Sequence, residues 1–201
     1  WMVNLVNFMD GIDGIAASYG AFVLAAIAVV AWTAHDGSSA SSATCTSVVA
    51  TVLPVAGAIA GFLAVNISRR KVFMGDVGSG TLGLLVGWAL VSGVAIGALP
   101  VWSAIILPAT FVADASVTLA VRVVRMQHPA RAHRTHAYQR MVRSGWSHLS
   151  VTGVYLAFNV VLVLPASVLA AARPDWGAAI ATAVYATLAI LAFWLGAGRE
   201  P

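Results

Sequence analysis

Charge is scarce in this chain. Only 9% of its residues are Asp, Glu, Lys or Arg, whereas globular domains average about 25%. Hydrophobic residues make up 60% of the sequence, and the mean hydropathy is +0.90. Since so little charge cannot cover a water-exposed surface, the composition excludes an ordinary soluble domain and predicts an integral membrane protein.

Cysteine is also nearly absent. Cys45 stands alone, so an internal disulfide is excluded, and the simplest interpretation is a small packing residue. No apolar run resembles a cleaved signal peptide, because the first run lacks a basic leading region and follows an acidic segment.

The apolar residues form long runs, each close to the roughly 20 residues that cross a bilayer. They predict an all-α polytopic helical bundle of about six transmembrane helices, forming a single transmembrane domain over residues 1–201. The six runs cover residues 15–34, 46–67, 80–98, 101–121, 149–171 and 177–197.

The cations are distributed unevenly between the loops. If the runs cross the membrane alternately, ten of the 11 Lys and Arg residues fall on one side, and only Arg173 falls on the other. This bias predicts that the basic side is cytoplasmic. Nucleic-acid binding is disfavoured because the basic residues lie in short loops between spans. The ten are Arg69, Arg70, Lys71, Arg122, Arg125, Arg131, Arg134, Arg140, Arg143 and Arg199.

The loop from Arg69 to Gly80 has the strongest chemistry on that side. It carries three cations, one acid (Asp76) and a glycine-rich start of the next helix. Glycines let backbone amides approach a phosphate closely, and a helix N-terminus adds partial positive charge. The loop therefore predicts phosphate and metal binding at the inner membrane face.

Polar residues recur at every third position near the start: Asn4, Asn7, Asp10 and Asp13. Neighbours at this spacing share a helix face, so the set predicts a polar cleft. The alternative is a capped helix start with Asp in its first turn. Two Asp and two Asn residues exceed what a cap requires.

Residues 122–148 hold six arginines and four histidines. His133 and His136 would share one side of a helix, but zinc is disfavoured because no cysteine or further acid accompanies them. The composition is more typical of a site where Arg and His side chains donate hydrogen bonds to a pyrophosphate. The alternative is a basic amphipathic segment on anionic lipid headgroups, and both roles can coexist.

Asp114 lies inside a predicted span, two turns before Arg122. An acid within a span is by default a functional candidate. A structural Asp that is hydrogen-bonded inside the bundle is an equally weighted interpretation.

Three of these segments together resemble one family. Asn4–Gly14 looks like its N-x-x-N-x-x-D-G-x-D-G segment, Phe73–Ser79 looks like its F-M-G-D-x-G-S segment, and His133–His136 looks like its histidine loop. The family is the polyprenyl-phosphate N-acetylhexosamine-1-phosphate transferases of glycosyltransferase family 4 type, which include the phospho-MurNAc-pentapeptide translocase. The form His-Arg-x-His-Ala-Tyr-Gln is similar to the branch that initiates O-antigen or other surface polysaccharides.

The resemblance implies a reaction and its participants. Undecaprenyl phosphate attacks the β-phosphorus of a UDP-N-acetylhexosamine, which gives lipid-diphosphate-sugar and UMP with Mg²⁺ required and Mn²⁺ as an alternative. It also implies a bacterial plasma membrane location with a cytoplasmic active site, and a homodimer is a further expectation.

The resemblance implies residue roles as well. Asp76 is expected to be the principal magnesium ligand and Asn7 a second one. Asp10 and Asp13 are expected to line the nucleotide side of the cleft. The residues expected beside the uridine are Phe73 and Asn66, and those expected to hold the diphosphate or sugar are His133, Arg134 and His136.

Family members carry about four further spans upstream and an Asp-Asp pair, neither of which is present in residues 1–201. This difference predicts that the chain is the C-terminal part of a larger transferase domain and is inactive alone. Two other classes stay open at this point: a transporter or anionic-lipid-binding bundle, and an inactive transferase remnant.

Overall fold

A computed structural model describes residues 1–35, 37–69, 72–127 and 134–199, with the backbone alone at residues 39, 40 and 69. The described chain is helical and contains no strand. A π turn (Asn159–Val163) joins α8 to α9, and a 3-10 turn (Pro174–Trp176) precedes α10. The helices are α1 (Met2–Met9), α2 (Ile15–Ala34), α3 (Ser39–Arg69), α4 (Gly75–Ala95), α5 (Val101–Ile106), α6 (Ala109–Val124), α7 (Ala137–Arg143), α8 (His148–Phe158), α9 (Leu164–Ala172) and α10 (Gly177–Trp194).

Five helical segments of the described chain are long and apolar enough to cross a membrane, so the all-α polytopic prediction is confirmed. The remaining predicted run, residues 101–121, is not among them, since it does not form a single helix of that length. The run 101–121 is divided between α5 and α6 by a turn at Leu107 and Pro108, because proline lacks an N–H and its ring crowds the preceding turn. The five segments are Ile15–Ala34, Ser41–Ser68, Gly75–Ala95, His148–Ala172 and Pro174–Trp194.

Helix α2 lies at the centre of the bundle and contacts α3, α4, α8 and α9. In its second turn, the ring of Tyr19 stacks on Phe111 of α6 with centroids 3.8 Å apart. Both rings are fully buried, so this pair ties the central helix to the broken span.

Small residues bring α1 against α4. A Cβ added at Gly83 would lie 2.6 Å from the carbonyl oxygen of Met2 and 2.7 Å from the Cα of Val3. Only glycine permits such a close backbone approach. The contact sets the position of α1, which leads directly to the acidic segment.

Hydrogen bonds between distant loops show that the basic ends of the helices meet at one end of the bundle. The Tyr138 hydroxyl donates to the Phe8 carbonyl at 3.2 Å, and the Gly198 N–H donates to the Thr135 carbonyl at 2.8 Å. The two polar segments recognised in the sequence, around Asp10 and Asp76, lie at this same end, and Arg173 lies at the other.

Candidate active site

A cleft of about 280 Å³ opens at the basic end of the bundle. Three separate chain segments form it: the turn between α1 and α2, the α3–α4 loop with the start of α4, and the first residue of α8. The residues that line it are Asp10, Gly11, Ile12, Asp13, Asn66, Phe73, Met74, Gly75, Asp76 and His148. Five of the predicted site residues, namely Asp10, Asp13, Asn66, Phe73 and Asp76, are thereby brought together.

Two carboxylates in the cleft influence each other. Burial and, second, the charge of Asp76 raise the pKa of Asp10 from 3.8 to about 6. Asp10 directly follows the last residue of α1, and Asp76 is in the first turn of α4, where the helix dipole stabilises a negative charge. The repulsion between two negative charges in one cleft also favours a cation between them.

Asn7 lies next to the cleft and is held by α4. The buried Ser79 hydroxyl donates to Asn7 Oδ1 at 2.7 Å, and Ser79 follows Asp76 by three residues on the same helix. The start of α4 therefore positions both residues predicted as metal ligands.

The α3–α4 loop presents an aromatic ring. Phe73 is 74% exposed, while the buried Asn66 donates from Nδ2 to the Val72 carbonyl at 2.7 Å. Asn66 therefore fixes the backbone on which Phe73 stands. Arg70 and Lys71 lie outside the described residues, and so does the side chain of Arg69.

His148 is a cleft residue that lies outside the three sequence motifs. Its Nδ1 lies 2.9 Å from Asp13 Oδ2, and the Thr152 hydroxyl one turn later donates to the Asp13 carbonyl at 2.9 Å. The sequence carried a signal for it, because His148 ends the histidine-rich basic segment. Its partner is 135 positions away, a distance that no local pattern bridges.

The predicted histidine-segment residues lie elsewhere. His133 falls outside the described residues, and Arg134 is exposed. His136 is buried, with Nδ1 3.6 Å from Asp114 Oδ1, and neither Arg134 nor His136 lines the cleft.

Asp114 acts as an anchor for that segment. Its carboxylate accepts hydrogen bonds from the backbone N–H of Ala137 at 2.8 Å and of Tyr138 at 3.3 Å. It also accepts from the Tyr155 hydroxyl at 2.5 Å and from the Thr118 hydroxyl at 3.2 Å. The first amides of α7 have no intrahelical partner, so Asp114 caps α7 from another helix. These contacts agree with the interpretation of Asp114 as a structural residue.

Helix α7 in turn supports the wall of the cleft. Besides its bond to the Phe8 carbonyl, the Tyr138 hydroxyl accepts from Gln139 Nε2 at 3.1 Å. A Cβ added at Gly11 would lie 2.2 Å from that hydroxyl. Burial and, second, the charge of Asp114 raise the pKa of Tyr138 well above its usual value, so the hydroxyl keeps its proton.

The donor set of the cleft suits a hard cation. Asp10, Asp76 and the side-chain amide of Asn7 offer oxygen atoms, which Mg²⁺ prefers, and Mg²⁺ is usually bound by one or two carboxylates plus substrate phosphates. Among the described residues, no group of three or more His, Cys, Asp or Glu side chains forms an all-protein metal site. The residues therefore fit a magnesium ion that shares its coordination with a phosphorylated ligand.

Comparisons with known proteins support the family resemblance. Residues 1–94 match the model of glycosyl transferase family 4. The chain is 33% identical over 129 residues to decaprenyl-phosphate N-acetylglucosaminephosphotransferase of Mycolicibacterium smegmatis, covering 57% of this chain and 31% of that protein. It is 31% identical over 119 residues to phospho-N-acetylmuramoyl-pentapeptide-transferase of a Synechococcus species, covering 54% of this chain and 32% of that protein.

The chain thus spans about a third of the length of the curated relatives it matches. No solved structure matches it.

Proposed function

We propose, on the premise that residues 1–94 carry the sequence pattern of glycosyl transferase family 4, that this chain forms the catalytic part of a membrane sugar-1-phosphate transferase. The acceptor is a polyprenyl phosphate, undecaprenyl phosphate in our proposal. The donor is a UDP-N-acetylhexosamine, and the products are lipid-diphosphate-sugar and UMP.

The observation that carries this proposal is the cleft itself. It gathers Asp10, Asp13, Asn66, Phe73 and Asp76 from segments more than 50 positions apart. Four of them, Asp10, Asp13, Phe73 and Asp76, belong to the two motifs that resemble the family. A cleft with acids at one point and an exposed aromatic ring at another suits a ligand that has a metal-bound diphosphate and a flat base.

The proposed reaction transfers a phosphoryl-sugar unit. An oxygen of the lipid phosphate forms a bond to the β-phosphorus of the donor, and the bond from that phosphorus to the bridging oxygen breaks. The electron pair leaves with the bridging oxygen on UMP. Mg²⁺, when bound, offsets the negative charge of the two reacting phosphates.

Several cleft residues and the neighbouring Asn7 have defined tasks in this scheme. Asp76 and Asn7 hold the cation, with Asn7 oriented by Ser79. Asp10 lines the cleft together with Asp76 and contributes negative charge to the same cation site. Phe73 offers its exposed ring to the uracil, on a loop that Asn66 fixes.

The histidine segment is proposed to contact the diphosphate or the sugar through His133, Arg134 and His136. Asp114 fixes the start of α7, which directly follows His136. This role is proposed from the motif resemblance, since neither Arg134 nor His136 lines the cleft.

The proposed setting is the bacterial plasma membrane, with the cleft on the cytoplasmic face where the cations concentrate. Initiation of a cell-envelope polysaccharide, O-antigen in particular, is the proposed pathway. A transporter or lipid-binding bundle is the alternative from another class, because inner acids and arginines also bind anionic solutes.

The test is UMP release from a panel of UDP-N-acetylhexosamines by the full-length protein with undecaprenyl phosphate. Asp76→Asn is the active-site variant, and Asp175→Asn, at the opposite end of the bundle, is the matched control. We expect release that needs lipid and Mg²⁺, is lost in Asp76→Asn and persists in Asp175→Asn. Absence of UMP with every sugar, from a folded full-length protein, would exclude the transferase and favour binding, transport or an inactive remnant.

A further inference from the structure

His148 stands where a ligand in the cleft can reach it. It is the first residue of α8, it lines the cleft, and its side chain is 44% exposed. The Ser147 hydroxyl caps the helix by accepting from the Ser150 N–H at 3.1 Å. The backbone at His148 is therefore held by the helix start, and the ring is held by Asp13.

The contact with Asp13 determines which ring nitrogen is available. A carboxylate only accepts hydrogen bonds, so the contact of 2.9 Å requires that Nδ1 carries a proton and donates it to Asp13 Oδ2. The Asp13 N–H lies 3.5 Å from the same nitrogen and is too long to compete. In the neutral ring Nε2 is then a hydrogen-bond acceptor.

The acids of the cleft form two unlike groups. Asp10 and Asp76 both line the cleft, and Asp76 is the proposed cation ligand, so the cation and the diphosphate are assigned to these two residues. Asp13 is paired with His148 instead, so its negative charge already has a partner in the protein. The Asp13–His148 pair is thus assigned to a different portion of the ligand.

A neutral imidazole acceptor selects a particular chemistry. Phosphate oxygens are acceptors and cannot bond to the Nε2 lone pair, whereas uracil N3–H and the ribose hydroxyls are donors. The exposed ring of Phe73 in the same cleft supplies a stacking surface for a base. Both observations place the nucleoside at this part of the cleft.

We propose that His148 is a nucleoside-recognition residue, which accepts a hydrogen bond at Nε2 from the uridine of the donor while Asp13 holds its Nδ1. This inference rests on the proposed function, since it specifies how the same cleft recognises the nucleoside of the donor substrate. His148 determines specificity for the donor and takes no part in breaking the diphosphate.

Two substitutions at His148 distinguish the roles of its two ring nitrogens. His148→Asn places an amide near the Nδ1 position and keeps a donor for Asp13, but it has no atom at Nε2. His148→Gln reaches the Nε2 position with an amide oxygen. His35→Asn, in the loop at the opposite end of the bundle, is the matched control.

The measurement is calorimetric binding of UMP and, separately, of inorganic pyrophosphate, both with Mg²⁺, to the full-length protein in lipid nanodiscs. We expect His148→Asn to weaken UMP binding about tenfold, the value of one neutral hydrogen bond. Pyrophosphate binding stays unchanged, His148→Gln recovers part of the UMP affinity, and His35→Asn binds both probes as the wild type does.

Two results would overturn the assignment. Unchanged UMP affinity in His148→Asn means that Nε2 makes no contact, and equal weakening of UMP and pyrophosphate means that the ring contacts phosphate. UMP binding can be measured without turnover. If the wild type binds UMP but forms no lipid product, the proposed transferase activity is wrong, and the binding data still show whether His148 recognises the nucleoside.

Discussion

Ser79 donates a hydrogen bond of 2.7 Å to Asn7 Oδ1 across 72 positions of the chain. The bond ties the end of α1 to the first turns of α4, where Asp76 lies. Asn7, one of the two residues predicted to share a cation, is therefore oriented by a residue that does not line the cleft.

Ser79→Ala removes this orientation without changing a proposed ligand. Outer residues that orient metal ligands typically contribute about 10- to 100-fold to metal affinity. We expect the Mg²⁺ concentration for half-maximal UMP release to rise by about tenfold, at the low end of that range. The measurement is a magnesium titration of activity.

Thr81→Ala is the control for that titration. The Thr81 hydroxyl, on the same helix, bonds only to the Val77 carbonyl among the described contacts, at 2.7 Å. An unchanged magnesium requirement in Ser79→Ala would show that Asn7 is not a ligand or needs no support.

Asp114→Asn tests the capping of α7. The amide has one acceptor oxygen instead of two, and its NH₂ group opposes the donors that the carboxylate accepts. Loss of a buried charged acceptor costs about 1.5–3 kcal/mol. We expect a lower unfolding temperature and faster hydrogen exchange at the amides of Ala137 and Tyr138.

Ser103→Ala provides the comparison, because it removes a buried hydrogen bond of 2.8 Å to the Ser167 carbonyl far from α7. Its stability should fall while exchange at Ala137 and Tyr138 stays slow. Slow exchange at these two amides in Asp114→Asn would contradict the capping role.

Gly83→Ala tests the approach of α1 to α4. The added methyl would collide with the backbone at Met2 and Val3, and overpacking of this kind costs about 1–3 kcal/mol. We expect lower thermal stability together with a raised magnesium requirement, since Asn7 is on the displaced helix. Gly57→Ala, where no atom lies within 4 Å of the added Cβ, should leave the magnesium requirement unchanged and should not lower thermal stability, since alanine favours a helix interior more than glycine does.

Stability without divalent cations should depend on pH through Asp10. Its pKa is about 6 in the folded protein against 3.8 ordinarily, so the folded state binds this proton more tightly than the unfolded state. The contribution of Asp10 protonation to the free energy of unfolding is complete below pH 3.8 and is lost as pH rises to about 6.

The difference in unfolding temperature between wild type and Asp10→Asn isolates this contribution. We expect the wild type to lose stability relative to the variant between pH 4 and 6. Added Mg²⁺ should restore stability at neutral pH. A difference that stays constant with pH would contradict the raised pKa.

The polar residues of the two motifs could be found from the sequence because their chemistry is local. Asp10, Asp13 and Asp76 stand beside glycines in otherwise apolar surroundings, so each attracts attention by itself. The role of Asp114 could not be found in this way, because its partners Ala137 and Tyr155 act through a backbone amide and a hydroxyl that any sequence offers in abundance.

The break at Pro108 shows a different difficulty. Hydropathy records how apolar a run is, and residues 101–121 are apolar throughout most of their length. The division into α5 and α6 depends on backbone hydrogen bonding, which hydropathy does not register.

The sequence by itself determined the membrane class, the helical architecture and the chemistry of the polar segments. These follow from the scarcity of charge, the length of the apolar runs and the bilayer, which requires backbone groups to bond within each span. The tertiary structure alone decided that His148 meets Asp13, that Ser79 holds Asn7 and that His136 faces Asp114. Such pairs depend on how helices far apart in the chain pack, and packing is set by the three-dimensional fit of many side chains together.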